Sequence, residues 1–318
     1  MPARHFLTLS DLSAAELQRL LREAARHKQD RRYGRQALAG RIVALVFQKP
    51  SMRTRVAFEV AVLQLGGSVV YLGQEDIRLG QREPIRDVAR VLSGYVDAIV
   101  ARTFAHADAE EFARYATVPV INGLSDLHHP CQALADLFTI QEHFRRLRGV
   151  TVAYVGDGNN VLHSLAEGAA MAGLNLSVAV PKGYRPHAGT WRRVIRQAAA
   201  AGAAFRLAGS PSDAVRGADV VYTDVWTSMG QERERAERLR AFQAFRLNEA
   251  LARQAKPGCR VMHCLPAHRG EEITDEVMEG RRSLIFEQAE NRLHAQKALL
   301  MLLLGGRARG ARRRTERG

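Results

Sequence analysis

The sequence predicts an α/β protein built as two doubly wound parallel-sheet domains linked by helices. Three observations carry this expectation. Short aliphatic runs alternate with helical apolar patterns along most of the chain, as in parallel sheets covered by helices on both faces. The alternation comes in two stretches, joined near residues 144–149. The 318 residues are enough for two ordinary domains.

Each element follows from its own signal. Near the N-terminus, Ser10 or Ser13 followed by Glu16 reads as a capped helix start. First-half strands are expected at 42–47, 68–72, 98–102 and 118–122, with helices at 53–65, 85–95 and 109–115. A further helix, containing ALADLFTI, opens at Pro130, a good first-turn residue. Second-half strands are expected at 150–155, 174–180, 220–223, 260–263 and 284–286, with helices at 163–171, 190–201, 248–255 and 287–304. Ligands in open α/β sheets sit beyond the carboxyl ends of the strands, so the loops after strands are where chemistry is expected.

Composition sets the bounds. The chain is 46% hydrophobic and 25% charged, the balance of a globular protein. No apolar run approaches the ~20 residues that span a bilayer, and the N-terminus lacks a signal-peptide core. Cys131, Cys259 and Cys264 are odd in number and lack C-x-x-C spacing, which favours reduced thiols in a cytoplasm. Net charge is +14, but the last thirteen residues hold six arginines against Glu316. That segment reads as a disordered basic tail at 305–318, with nothing to bury. A solvated tail is favoured over a nucleic-acid partner.

Chemistry concentrates where strands end. Ser51-Met52-Arg53-Thr54-Arg55 places two arginines and two hydroxyls where a strand meets a helix. The free N–H groups and dipole of a helix start, with guanidinium forks, suit a phosphate; an ordinary capped helix with surface arginines is the competing reading. Arg102-Thr103 ends the next strand. His129-Pro130-Cys131-Gln132 opens a helix and can aim neutral donors at a carbonyl. In the second half, Gly156-Asp157-Gly158-Asn159-Asn160 lacks the full G-x-G-x-x-G spacing of a dinucleotide site. Asp224 to Gly230 and His263-Cys264-Leu265-Pro266 follow later strands and bring a carboxylate and a thiol to the same edge.

Taken in order and spacing, these motifs closely resemble the aspartate/ornithine transcarbamylase family, from Leu9 to Leu304. Ser51–Arg55, Arg102-Thr103 and His129–Gln132 resemble its shared carbamoyl-phosphate signatures. Asp224, Ser228-Met229-Gly230 and His263–Pro266 resemble the ornithine branch; the aspartate branch lacks both of those segments, and the putrescine and N-acetylornithine enzymes differ at Ser-Met-Gly. The resemblance implies a cofactor-free, metal-free transfer from carbamoyl phosphate to the δ-amine of L-ornithine, giving L-citrulline and phosphate. It implies a carbamoyl-phosphate domain over 1–146, rejoined by the helix at 287–304, an ornithine domain over 147–286, and a homotrimer with sites at subunit boundaries.

The same resemblance assigns roles. Ser51, Arg53, Thr54 and the Met52 backbone hold the phosphate. Arg102, His129 and Gln132 polarise the carbamoyl oxygen and position the leaving group. Asn160, Asp224, Ser228 and Met229 grip the α-amino and α-carboxylate groups of ornithine. Cys264 and Leu265 line the path of the δ-amine, and Arg292 reaches back to carbamoyl phosphate. Arg78 stands where the family has a glutamine reaching a neighbouring subunit's phosphate, and Arg82 stands where it has a glycine.

The chemistry raises one difficulty. A δ-amine resembles a lysine amine of pKa ~10.4, so deprotonation at pH 7 costs about 4.6 kcal/mol. Cys264 is the nearest acceptor by sequence, if cationic neighbours favour its thiolate; a thiol that only packs is the alternative. A paralogue that keeps the fold as a binding or regulatory subunit would show lost motif residues, and almost none are lost.

Overall fold

The computed structural model describes residues 3–79, 82–228 and 230–305. Its first sheet holds four parallel strands in the order β2-β1-β3-β4: β1 Ile42–Phe47, β2 Ser68–Leu72, β3 Ala98–Arg102 and β4 Val120–Leu124. The second holds five in the order β7-β6-β5-β8-β9: β5 Thr151–Val155, β6 Asn175–Ala179, β7 Phe205–Leu207, β8 Val220–Thr223 and β9 Arg260–His263, again all parallel. The doubly wound α/β expectation therefore holds. Both central strands read as continuous apolar runs because helices cover both faces; Val43 to Phe47 of β1 are all buried.

Helices around the first sheet are α1 Ala14–Gln29, α2 Met52–Gln64, α3 Gln74–Ile77, α4 Ile85–Tyr95, α5 His106–Tyr115 and α6 Pro130–Phe144. Those of the second half are α7 Asn160–Ala172, α8 Ala188–Ala200, α9 Pro211–Val215, α10 Arg235–Phe242, α11 Glu249–Ala252, α12 Asp275–Met278 and α13 Ile285–Leu304. α1 begins with a capping box: the Ser13 hydroxyl accepts from the Glu16 N–H, and the Glu16 carboxylate accepts from the Ser13 N–H. It buries Leu17, Leu20, Leu21 and Ala24 at helical spacing.

The last helix crosses back. α13 packs on α1, α2 and α6 of the first half. Lys28 of α1 bonds Glu142 of α6 at 2.8 Å and Glu287 of α13 at 3.2 Å, and His143 meets Glu287 at 2.9 Å. One apolar core runs from the first sheet through α1, α6, α7 and α13 to β5, β6 and β8.

Two expected strands differ. β4 starts at Val120 because Pro119 has no N–H for the ladder, although its carbonyl accepts from Ile99. The strand expected at 284–286 does not form. Only Ser283 bridges Val261, and the Gln288 N–H then bonds the Leu284 carbonyl, opening α13 at Ile285. The short edge strand β7 was not anticipated; Arg206 and Leu207 are exposed there, so no buried pattern marks it. Residues 306–318 of the basic tail lie outside the described residues. No described helix is long and apolar enough to cross a membrane.

Candidate active site

Each sheet has one point where its strand order reverses. In the first it falls between β1 and β3, in the second between β5 and β8. The loops leaving those strand ends face a common cleft of about 940 Å³, the position open α/β sheets favour for ligands.

One end of the cleft is cationic. Ser51 caps α2, its hydroxyl accepting from the Thr54 N–H at 3.2 Å, which leaves the Ser51 proton free. β3 runs level with β1, pairing Arg102 with Phe47, and so sets Arg102 beside the start of α2. Thr54 Oγ1 accepts from Arg292 at 2.7 Å and from Arg102 at 3.5 Å. Arg292 arrives from α13, far away in sequence. Arg102 and Arg292 are buried, and the Nε of each has no partner. Burial and the charges of Arg292 and Arg53 push the Arg102 guanidinium down to about 10; Arg292 and Arg53 are also lowered, first by burial. Lys49 stands at the rim, 4.5 Å from the Phe104 ring centre. Three crowded guanidiniums, two of them with an unpartnered nitrogen, suit an anion.

His129 lies beside them, buried. Its N–H bonds Ser164 of α7 at 2.8 Å, and its Nδ1 has no partner. Burial, then Arg292, Arg102 and Arg53, hold its pKa well below the usual histidine range, so the ring is neutral at pH 7, as the sequence reading asks. Gln132, one turn further along α6, does not line the cleft. Its Nε2 donates to Asp136 at 2.9 Å, and its Oε1 is buried without a partner. The expected Gln132 donor is therefore spent inside the protein, and an acceptor atom is left.

The opposite end is acidic and hydrogen-bonded to itself. Asn159 caps α7, its Oδ1 accepting from Val161 and Leu162, and its Nδ2 donates to Asp224 at 2.7 Å. Asn160 Nδ2 reaches across to the Ser125 carbonyl at 2.6 Å. The Cys264 thiol donates to Asp224 Oδ1 at 2.9 Å. Burial and the Asp224 charge push that thiol well above its ordinary pKa. The expectation of a thiolate favoured by cations thus meets the opposite field: Cys264 is a buried donor to a carboxylate. Leu265 sits at φ 58°, a strained conformation for a branched side chain. His263 Nδ1 accepts from the Leu265 N–H at 2.8 Å, while His263 Nε2 meets Glu272 at 3.1 Å. Among the described residues, Asp224, His263 and Cys264 bring ligand-type atoms within 4.8 Å, but both His263 nitrogens are already engaged.

Ser51, Met52, Arg53, Thr54, Arg102, His129, Asn160, Asp224, Ser228, Cys264, Leu265 and Arg292 all line this one cleft. Arg78 does not; it projects from the loop after α3, at φ 39° and 64% exposed along its side chain. Met229 lies outside the described residues. Several contributors carry no role in the sequence reading. Asn159 had a signal, a capping residue before an apolar helix, and Asp136 stands four residues from Gln132. Arg238, which bonds Asp157 at 3.0 Å and the Trp226 carbonyl at 3.0 Å, comes from a charge-rich helix with no local signal.

The sequence profile for the aspartate/ornithine carbamoyltransferase carbamoyl-P binding domain matches residues 4–142, and that for the Asp/Orn binding domain matches 148–303. An ornithine carbamoyltransferase of Archaeoglobus fulgidus is 51% identical over 304 residues, 95% of this chain and 98% of that protein. An anabolic ornithine carbamoyltransferase of Pyrococcus furiosus is 51% identical over 308 residues, 96% of this chain and 98% of that one. A solved ornithine carbamoyltransferase from Pyrococcus furiosus superposes with a TM-score of 0.93 at 51% identity, covering 96% of this chain and 98% of its own.

Proposed function

The chain belongs to the aspartate/ornithine carbamoyltransferase family, and from that premise we propose how its cleft divides the work. The reaction is transfer of the carbamoyl group of carbamoyl phosphate to the δ-amine of L-ornithine, giving L-citrulline and phosphate in arginine metabolism. The single observation that carries the assignment of ends is the polarity of the cleft: crowded guanidiniums at the α2 start face a carboxylate and a thiol across it.

Phosphate binds the Ser51 and Thr54 hydroxyls, the Met52 N–H and the Arg53 and Arg292 forks. Arg102 and neutral His129 meet the carbonyl oxygen, where charge builds as the amine attacks. Gln132 lies behind them on the same face of α6. Asp224 takes the α-ammonium of ornithine and Asn160 its carboxylate, with Ser228 beside them; the family resemblance adds Met229 to the ornithine contacts. Cys264 and Leu265 flank the δ-amine. As the N–C bond forms, the C–O bond to phosphate breaks, and the departing phosphate, rather than Cys264, is the base placed to take the amine proton.

Assembly as a homotrimer is part of this reading. Met52, Val56 and Leu63 on α2 and Val70 on β2 form an exposed apolar strip beside the phosphate end. A second copy would cover it and bring Arg78 to a neighbouring site. A cytoplasmic location fits three free cysteines.

The purified protein, given carbamoyl phosphate and L-ornithine, should form citrulline. A bisubstrate analogue, phosphonoacetyl-L-ornithine, bridges both ends and should bind far more tightly than ornithine alone or phosphonoacetyl-L-aspartate. Preference for the aspartate analogue would overturn the substrate and leave the family standing.

A further inference from the structure

The loop that follows β9 has two faces. Cys264 and Leu265 line the cleft; His268, Glu271 and Glu272, further along the same loop, do not. Among the described residues, these three form one of two groups whose ligand-type atoms lie within 4.8 Å of one another. The other group is Asp224, His263 and Cys264, and it spends its atoms on internal bonds: the thiol on Asp224, and His263 between Glu272 and the Leu265 N–H. The outer group keeps one atom unspent.

That atom is Glu272 Oε2. Glu272 is fully buried. Its Oε1 accepts from the His268 N–H at 2.6 Å and meets His263 Nε2 at 3.1 Å. Its Oε2 is buried and has no hydrogen-bond partner; His268 Nδ1 stands 3.8 Å from it, beyond hydrogen-bond reach. A buried acceptor left unmet costs free energy, and a cation between these two atoms would meet both. The His268 side chain is 45% exposed, so an ion can enter from solvent. Glu271 adds a second carboxylate. Arg235 holds one of its oxygens, but a carboxylate has lone pairs to spare. Backbone bonds fix the loop beneath: the Glu271 N–H donates to the His268 carbonyl at 2.9 Å, and the Leu247 N–H to the Glu272 carbonyl at 2.8 Å. Arg246 Nε donates to the Glu271 carbonyl at 3.0 Å.

We propose that His268, Glu271 and the unpartnered oxygen of Glu272 form a site for a zinc-class divalent cation on the outer face of this loop, separate from the cleft. One imidazole and two carboxylates suit zinc, with water as the fourth ligand. Two ligands on a tetrahedral zinc stand about 3.4 Å apart, so a small swing of the exposed His268 ring closes the gap. The ion takes no part in the transfer reaction. Through Glu272 Oε1 and His263 it braces the Leu265 turn that faces the cleft.

The test titrates the chelator-stripped full chain with Zn²⁺ by calorimetry. Wild type should bind one ion. His268→Ala changes an exposed ring and should weaken binding by about 100-fold or more, beyond the loss usual for an outer partner of a metal ligand. Glu271→Gln should weaken it by about 10-fold or more. Zn²⁺ should raise the melting temperature of wild type and not that of His268→Ala. Mg²⁺, which prefers oxygen ligands and keeps its waters, should bind far more weakly. Cys264→Ser should keep the wild-type Zn²⁺ affinity, and Co²⁺ bound to wild type should show no thiolate charge-transfer band. Three results would each overturn the site: no binding in wild type, wild-type affinity in both His268→Ala and Glu271→Gln, or binding lost in Cys264→Ser, which would move the ion to the cleft. None of these measurements depends on citrulline formation, so the site and the functional reading fail separately.

Discussion

The two ends of the cleft are prepared in opposite ways. At the phosphate end, Arg53, Arg102 and Arg292 crowd together, with the Nε of both Arg102 and Arg292 unmatched. Each disfavours its neighbours' charge, a local cost that the surrounding fold sustains. At the amino-acid end, Asp224 already holds bonds from Asn159 and Cys264, and Asn160 is bonded to Ser125. An anion entering the first end relieves repulsion and competes only with the Arg102 and Arg292 bonds to Thr54. An amino acid entering the second must exchange contacts already made. The difference teaches that preorganisation here means unsatisfied donors on one side and satisfied, replaceable bonds on the other.

The strongest way to break this contrast is to remove a cation. Arg102→Ala should lower kcat/KM for carbamoyl phosphate by about 10²- to 10³-fold, the loss expected for one positioned oxyanion donor. Ornithine affinity, measured separately, should change far less. Equal damage to both substrates would mean that the ends are not independent.

Asp224→Asn probes the other side. It should raise the ornithine KM by about 10- to 100-fold, as a charge-assisted bond to an ammonium is lost. Carbamoyl phosphate binding, followed by tryptophan fluorescence or calorimetry, should stay near wild type. A carbamoyl phosphate defect as large as the ornithine defect would contradict the division of the cleft.

Cys264→Ala sharpens the comparison. Its thiol is raised by burial and Asp224, so it acts as a donor to a carboxylate rather than as a base. The expected effect is a loss of less than about 10-fold, mostly in ornithine KM, with the pH profile of kcat unmoved. A displaced pH profile would restore the thiol as proton acceptor.

The smallest effect concerns the seam between the ends. His128 of the first half faces His163 of α7, with ring centres 6.3 Å apart, while His106 stands 4.9 Å away on its other side. Burial depresses His128 to about 3 and His163 to about 4. A depressed histidine contributes stability above its unfolded value of 6.5, and that stability is lost as pH falls from there toward the folded value. Glu167, raised by burial to about 7 and bonded to Arg193 and the Leu9 N–H, works the other way: its protonation on folding favours the native state at lower pH. The melting temperature should nonetheless decline between pH 6.5 and 4, and His128→Asn should flatten that decline. An unchanged slope in the variant would remove the seam histidines as its cause.

Much of this was legible in the chain. β1 is continuous apolar residues, so both its faces had to be buried, and its parallel neighbours followed from the intervening helices. Ser51 marked a helix start because only a capping side chain satisfies those free N–H groups locally. The shift of β4 past Pro119 and the start of α13 at Ile285 were less legible, because an apolar triplet such as 284–286 suits a strand or a buried helix turn equally.

By itself the sequence determined what local chemistry fixes: where strands end, which helix starts carry arginine and hydroxyl, and that a thiol and a carboxylate stand after late strands. Tertiary structure alone decided which of these meet, and in which state. Arg292 reaches Thr54 across 238 positions, and the field around Cys264 comes first from burial and then from Asp224, just past the end of another strand. Asp136 turns Gln132 around while tied to Gln288, 152 positions away. Hydrogen-bond direction and pKa depend on burial and on neighbours distant in sequence, which no local pattern of residues records.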